Sequence, residues 1–164
     1  MMVRKVNDAL DALGRILECL LISYRYDVAE RAMCVVFDYP DKDVGADRAF
    51  LRVRFDGVSN FRRIPGEFAE LQKFIETYST RATGAATVVQ NVNVDASGRA
   101  MQIALWFGHS FGGISFMCDG VAAETRSARA IRTGADEWDY RDIDDGARVD
   151  FYDPFARSAA AGTL

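Results

Sequence analysis

The hydrophobic pattern near the start of the chain has the spacing of an amphipathic helix. Apolar side chains recur every three or four positions, and charged side chains fall on the opposite face. This pattern predicts a helix over residues 4–13, with Asn7 or Asp8 as its N-cap and Gly14 as its end. Residues 16–26 have strand composition and are predicted to follow the helix as the first strand.

Later segments alternate apolar and polar residues with the period of two that is typical of β-strands. In the clearest case, Leu51, Val53 and Phe55 share one face and polar residues occupy the other. The pattern predicts six strands, over residues 16–26, 31–39, 50–58, 87–94, 99–107 and 114–123. Residues 66–79 have helical spacing instead, and they predict a central helix.

Short connections between consecutive strands favour antiparallel pairing, because a parallel crossover needs a dozen or more residues. The sequence therefore predicts an α+β fold. It consists of a mostly antiparallel sheet of about six strands, arranged as two three-stranded meanders, with an N-terminal helix and a central helix. A length of 164 residues suits one domain. We expect that domain to cover residues 1–155 and residues 156–164 to form a flexible C-terminal tail.

Cysteine usage favours a reducing compartment. The chain contains three cysteines, Cys19, Cys34 and Cys118, each inside an apolar run. An odd number of buried thiols fits a cytoplasmic protein better than a secreted one. No apolar run approaches the roughly 18 residues that a membrane helix needs. The sequence therefore predicts a cytoplasmic protein without a membrane partner.

The negative charge is concentrated in one late segment of the chain. The formal net charge is -4, but residues 136–153 alone contain eight acidic residues and only two arginines, which gives them a net charge of -6. The rest of the chain is left with a net charge of +2. A nucleic-acid-binding protein normally shows a basic stripe. The sequence has none, so we expect no nucleic-acid partner.

The sequence contains no recognisable active-site motif. His109 is the only histidine, and without a second ligand at metal-binding spacing it does not predict a zinc site. The glycines around it, in residues 108–113, lack the strand-to-helix context and the lysine of a phosphate-binding loop. Residues 142–146 resemble the start of a calcium loop, but Gly146 stands at position five instead of six. We therefore predict no catalytic residue, no cofactor and no metal.

Aromatic residues stand beside acids in the same late segment. Aromatic anchors with a charged rim are typical of protein-binding surfaces. The residues predicted to contact a partner are Trp138, Tyr140, Asp142, Asp144 and Asp145. In the alternative interpretation, these rings only pack the segment onto the sheet. In that case Arg52 and Arg54, on the polar face of their strand, are expected to pair with its acids.

Two segments of the chain have a familiar order. The first is Ile22-Ser23-Tyr24-Arg25-Tyr26-Asp27, after the N-terminal helix, and the second is Leu51-Arg52-Val53-Arg54-Phe55-Asp56-Gly57-Val58. This order resembles small bacterial β-rich families, several of which are immunity proteins encoded beside polymorphic toxins. The resemblance covers residues 5–60 and continues in general plan to residue 124. It implies neutralisation of a partner by binding, and it carries over no catalytic residue.

Three functional hypotheses follow from the sequence. The leading one is a non-enzymatic protein-binding module, an immunity-type inhibitor that neutralises a toxin by occlusion. Its acidic segment would steer a basic protein partner, and its aromatic residues would supply the buried contact. One alternative is a small-ligand-binding protein or an enzyme with a pocket near His109. The other is a self-associating structural subunit that forms a homo-oligomer through a sheet face or edge.

Overall fold

The computed structural model describes residues 3–39, 47–67 and 80–156. Within these ranges the chain forms one short helix and twelve strands. The helix is α1 (Ala9–Gly14). The strands are β1 (Arg4–Val6), β2 (Leu20–Asp27), β3 (Ala32–Tyr39), β4 (Arg48–Asp56), β5 (Ser59–Ile64), β6 (Arg81–Val88), β7 (Asn91–Asp95), β8 (Met101–Trp106), β9 (Gly113–Cys118), β10 (Gly120–Arg132), β11 (Trp138–Asp142) and β12 (Arg148–Val149).

The strands form two sheets in which every pairing of described residues is antiparallel. The large sheet has the order β12-β11-β10-β4-β3-β2-β6, and β1 pairs with β10 beside β11. The small sheet has the order β5-β9-β8-β7. The prediction of a mostly antiparallel β protein is thus confirmed.

A bent two-stranded ribbon joins the two sheets. β4 and β10 pair in the large sheet, and their continuations β5 and β9 pair in the small sheet. The bend lies at Gly57, whose φ of 64° is one that glycine adopts freely. A side chain there would also overlap the side chain of Asp119, which lies between β9 and β10. The positive φ and this contact therefore favour glycine at the corner.

The main hydrophobic core lies between the sheets. It combines the inward side chains of β2, β3, β4 and β10 with those of β8 and β9, and α1 contributes Ala12 and Leu13. Phe55 of the large sheet and Phe116 of the small sheet meet edge to face at 4.8 Å between ring centroids. The alternation that predicted Leu51, Val53 and Phe55 on one face is confirmed, because all three are buried in this core.

A second, smaller core lies on the opposite face of the large sheet, which we call its outer face. Ile22, Val36, Phe50 and Ala128 supply the sheet side of this core. The chain after β10 returns across the face and covers them with Val149 and Phe155, while Tyr140 and Phe151 pack at the edge. Residues 138–156, which we call the C-terminal segment, are therefore packed on the body of the protein.

Two parts of the predicted architecture are wrong. The described residues contain more than six strands in two sheets, and the helical content is a single short helix. The predicted N-terminal helix over residues 4–13 is divided, because Arg4–Val6 pairs with β10 as a strand. Asp8 caps what remains of the helix by accepting a hydrogen bond from the backbone N–H of Asp11 at 2.9 Å. The helix ends at Gly14, as the sequence predicted.

Several sequence predictions fall outside the described residues. Most of the predicted central helix over residues 66–79 does so, and so does most of the predicted tail over residues 156–164. Among the described helical residues, none forms a segment long and apolar enough to cross a membrane.

The three cysteines are free thiols, of which Cys19 and Cys118 are buried and Cys34 is partly buried. Burial raises the pKa of the Cys19 thiol to about 12 and that of Cys118 to about 11, and it also raises the pKa of Cys34. Because the thiolate is the reactive form, we expect a thiol reagent at pH 7.5 to label the folded protein far more slowly than the urea-unfolded chain. Cys34 should react first. Equal labelling rates in the two states would contradict this burial.

Candidate functional site

The C-terminal segment begins with a tight hairpin. β11 runs from Trp138 to Asp142 along the last part of β10, and β12 pairs back onto it. Asp142 shapes the turn between them. Its Oδ1 accepts a hydrogen bond from the backbone N–H of Asp144 at 2.9 Å, and its backbone carbonyl accepts one from Gly146 at 3.0 Å. Gly146 has a φ of 69°, which is the left-handed conformation that glycine tolerates best.

A buried ion pair fixes this hairpin to the large sheet. Arg126 of β10 donates from Nε to Asp142 Oδ2 at 2.7 Å, and the two side chains are only 2% and 0% exposed. Arg126 also donates from Nη1 to the backbone carbonyl of Pro154 at 2.6 Å. One guanidinium therefore binds both the start and the end of the C-terminal segment. Its Nη2 is buried without a hydrogen-bond partner among the described residues.

A groove of about 590 Å³ opens on the surface of this segment, and we call it the C-terminal groove. Its volume lies in the range of about 300–1,000 Å³ that is usual for ligand sites. The side chains that line it are aromatic, acidic and basic. They include Arg126, Trp138, Asp139, Tyr140, Arg148, Val149, Asp150, Phe151, Tyr152 and Asp153.

The aromatic residues of the groove have two different roles. Phe151 stacks against Tyr140 at 5.3 Å and meets Phe50 edge to face at 5.8 Å between ring centroids, so these rings anchor the segment to the sheet. Burial raises the pKa of the Tyr140 phenol. Trp138 and Tyr152 are 52% and 59% exposed. These two rings are available for contact with another molecule.

The acids of the groove differ in how they are paired. Asp139 binds Arg141 at 2.7 Å and Arg148 at 3.3 Å, so its charge is already compensated. Asp150 accepts a hydrogen bond from the backbone N–H of Tyr152 at 2.9 Å. No arginine or lysine among the described residues forms an ion pair with Asp150 or Asp153. The negative potential of the groove therefore comes mainly from these two carboxylates.

The structure separates the five residues that the sequence assigned to partner binding. Trp138 and Tyr140 line the C-terminal groove, Trp138 as an exposed ring and Tyr140 as a partly buried one. Asp144 and Asp145 lie at the hairpin turn outside the groove, and Asp144 forms an ion pair with Arg4 at 3.5 Å. Asp142 is buried and is not part of the groove lining, so it is not placed to contact a partner there. Its role is to position the hairpin by binding Arg126.

The groove residues that were not selected from the sequence include Arg126, Asp150, Tyr152 and Asp153, and the signal for the last three was present. Tyr152 stands between Asp150 and Asp153, which is the same combination of an aromatic ring and acids that selected Trp138 and Tyr140. Arg126 had no such signal. It resembles a surface arginine in the sequence, and only its pairing with a residue 16 positions later reveals its burial.

The predicted pairing of Arg52 and Arg54 with the acidic segment is wrong. Arg52 forms an ion pair with Glu124, and Arg54 forms one with Asp56 at 2.8 Å. Arg52 does contact the C-terminal segment in another way, since its guanidinium lies 4.5 Å from the ring centroid of Phe155. A cation over an aromatic face is a stabilising arrangement.

His109 lies apart from the C-terminal groove. Its imidazole is largely exposed, lies 3.4 Å from the equally exposed carboxylate of Glu67, and meets Trp106 edge to face. Among the described residues, no group of three or more histidine, cysteine, aspartate or glutamate side chains is placed to hold a metal ion. In the calcium-like sequence, Asp142 is already committed to Arg126.

The described residues form an antiparallel β protein of two sheets, and a groove lies on its C-terminal segment. No protein-family model matches the sequence, and no curated protein or solved structure is significantly similar to it. The groove is therefore the feature of the molecule from which a function can be inferred.

Proposed function

We propose that this protein is a non-enzymatic binding module that holds a basic protein partner at its C-terminal groove. Its partner would be a toxin that it neutralises by occlusion, as the resemblance to immunity-type families implies. One observation carries the proposal. Two exposed aromatic rings and two carboxylates without an ion-pairing partner among the described residues line a single groove in the most acidic part of the chain.

The charge distribution supports a basic partner. Residues 136–153 carry a net charge of -6 while the rest of the chain carries +2, so the acidic face is electrostatically distinct from the body. Complementary charge accelerates encounter and orients the partner, and exposed aromatic rings then supply the desolvated contact. Asp150 and Asp153 stand on either side of Tyr152 in the sequence, so the charges that would steer a partner lie beside a ring that would contact it.

The buried anchors of the segment also support binding without large rearrangement. Arg126 and Asp142 hold the hairpin, while Phe50 and Phe151 hold the chain that follows it. A groove that is already formed loses less conformational entropy when it binds. The C-terminal segment therefore presents Trp138 and Tyr152 on a rigid support.

The test is direct binding of the purified partner, starting with the product of the gene next to this one. We expect Asp150→Asn combined with Asp153→Asn to slow association by about tenfold at low salt, because steering by rim charges mainly sets the association rate. The salt dependence of that rate should also become shallower. Surface plasmon resonance at several salt concentrations measures both quantities.

A charge-matched control uses two exposed acids outside the C-terminal segment, Glu18→Gln with Glu30→Gln. This control changes the net charge of the chain equally but leaves the groove intact, so it should bind as the wild type does. Equal association rates for the groove variant and the wild type would overturn the proposed function.

A further inference from the structure

Arg126 gives the C-terminal groove a hydrogen-bond donor that the packing of the protein does not use. Arg126 belongs to the lining of the groove, and two nitrogens of its guanidinium bind Asp142 and Pro154. The third, Nη2, is buried and has no acceptor within the described part of the chain. A buried donor without an acceptor is costly, and native structures usually supply a partner for it. Because Arg126 belongs to the groove lining, a bound molecule can supply that acceptor after a small shift of the groove side chains that cover Nη2.

The charges around Nη2 determine what kind of acceptor fits. The positive charge of Arg126 is already compensated by the buried carboxylate of Asp142. A second anion would also meet Asp150 and Asp153, which line the same groove. A neutral acceptor avoids both problems, and the commonest neutral acceptor in a protein partner is a backbone carbonyl.

The exposed part of the groove favours a positively charged group. Trp138 and Tyr152 present aromatic faces, and Asp150 and Asp153 present carboxylates. Arginine has a planar guanidinium that stacks on aromatic rings and donates hydrogen bonds to carboxylates in pairs. Lysine offers only a compact, strongly hydrated charge, so the groove favours arginine.

We propose that the C-terminal groove is a recognition site for an arginine residue in an exposed basic segment of the partner. The guanidinium packs against Trp138 and Tyr152 and binds Asp150 and Asp153, while a backbone carbonyl next to that arginine accepts a hydrogen bond from Arg126 Nη2. This inference rests on the proposed function and specifies its chemistry.

The probe is a short blocked peptide, acetyl-Ala-Arg-Ala-amide, compared with the same peptide containing citrulline. Citrulline has nearly the same shape as arginine but is neutral. We expect the arginine peptide to shift the indole N–H resonance of Trp138 in a saturable way. The indole of Trp106, in β8 of the small sheet, is the internal reference and should not shift. The citrulline peptide should bind at least about tenfold more weakly, because it cannot pair with carboxylates as a cation.

Two further comparisons test the contact with the carboxylates and the contact with Arg126 separately. Asp150→Asn with Asp153→Asn should weaken the arginine peptide by about tenfold or more, and Glu18→Gln with Glu30→Gln should not weaken it. Butylguanidine keeps the guanidinium and the single positive charge but has no carbonyl, so it should bind more weakly than the peptide. Equal binding of butylguanidine and the peptide would refute the carbonyl contact with Arg126.

The inference fails if the arginine and citrulline peptides bind equally, or if the Trp138 resonance shows no saturable shift. That failure is distinguishable from failure of the proposed function. If the partner still depends on Asp150 and Asp153 for its association rate while the arginine peptide does not bind, only the arginine specificity is wrong.

Discussion

Asp142→Ala should lower the free energy of unfolding by about 3–5 kcal/mol, because it removes one partner of a fully buried ion pair. Arg126 would be left with its charge uncompensated in a site where its side chain is 2% exposed. The same substitution removes the acceptor for the backbone N–H of Asp144 and loosens the hairpin between β11 and β12. Urea denaturation followed by circular dichroism measures the loss.

Two variants separate the buried charge from other effects. Asp144→Ala breaks the partly exposed pair with Arg4 and should cost less than about 1 kcal/mol. Arg126→Met combined with Asp142→Leu removes both charges and should recover much of the stability that Asp142→Ala loses, because no isolated charge remains. If Asp142→Ala is too unstable to fold, Asp142→Asn keeps the shape and should still be clearly destabilised. A loss as small as that of Asp144→Ala would show that the pair is not buried.

Phe50→Ala should lower the free energy of unfolding by about 3–5 kcal/mol, the usual cost of deleting a fully buried phenylalanine. Phe50 is 0% exposed and joins the outer face of the large sheet to the C-terminal segment. Its ring meets those of Tyr140 and Phe151 at 6.1 and 5.8 Å between centroids. The cavity should therefore loosen the segment in addition to destabilising the whole fold.

Hydrogen exchange distinguishes these two consequences of Phe50→Ala. Amide protons of β11 should exchange faster in the variant under native conditions, relative to those of β8 and β9 in the small sheet. The control variant is Tyr152→Ala, which removes a ring of the same segment that is 59% exposed. We expect that variant to change stability by no more than about 0.5 kcal/mol, as is usual for surface positions. Similar losses for Phe50→Ala and Tyr152→Ala would refute the second core.

The fold could be predicted where the hydrophobic pattern was strong. β3 and β4 were located to within two residues. The second half of β4 alternates buried and exposed side chains, whereas β3 is a nearly continuous apolar run with no exposed residue. β5 and β6 were missed for different local reasons. β5 contains adjacent arginines and borders the small sheet, while β6 is rich in alanine, threonine and glycine, which carry a weak strand signal. β1 was missed because only its distant pairing with β10 makes it a strand.

The candidate site could be predicted in position but not in detail. The concentration of acids beside aromatic rings selected the segment on which the C-terminal groove lies. The sequence could not show that Asp142 faces inward while Asp150 faces the groove, because both look like surface acids. That difference depends on Arg126, which lies on β10 and binds Asp142 in the interior of the protein. Long-range pairing of this kind leaves no local pattern.

The most direct test of the central claim is to map the surface that the partner contacts. In a titration of the isotope-labelled protein with its purified partner, the largest chemical-shift changes should fall in residues 138–142 and 148–153, with the Trp138 indole among them. Changes confined to the turn around His109 or to the edge strand β7, with the C-terminal segment unaffected, would contradict the account.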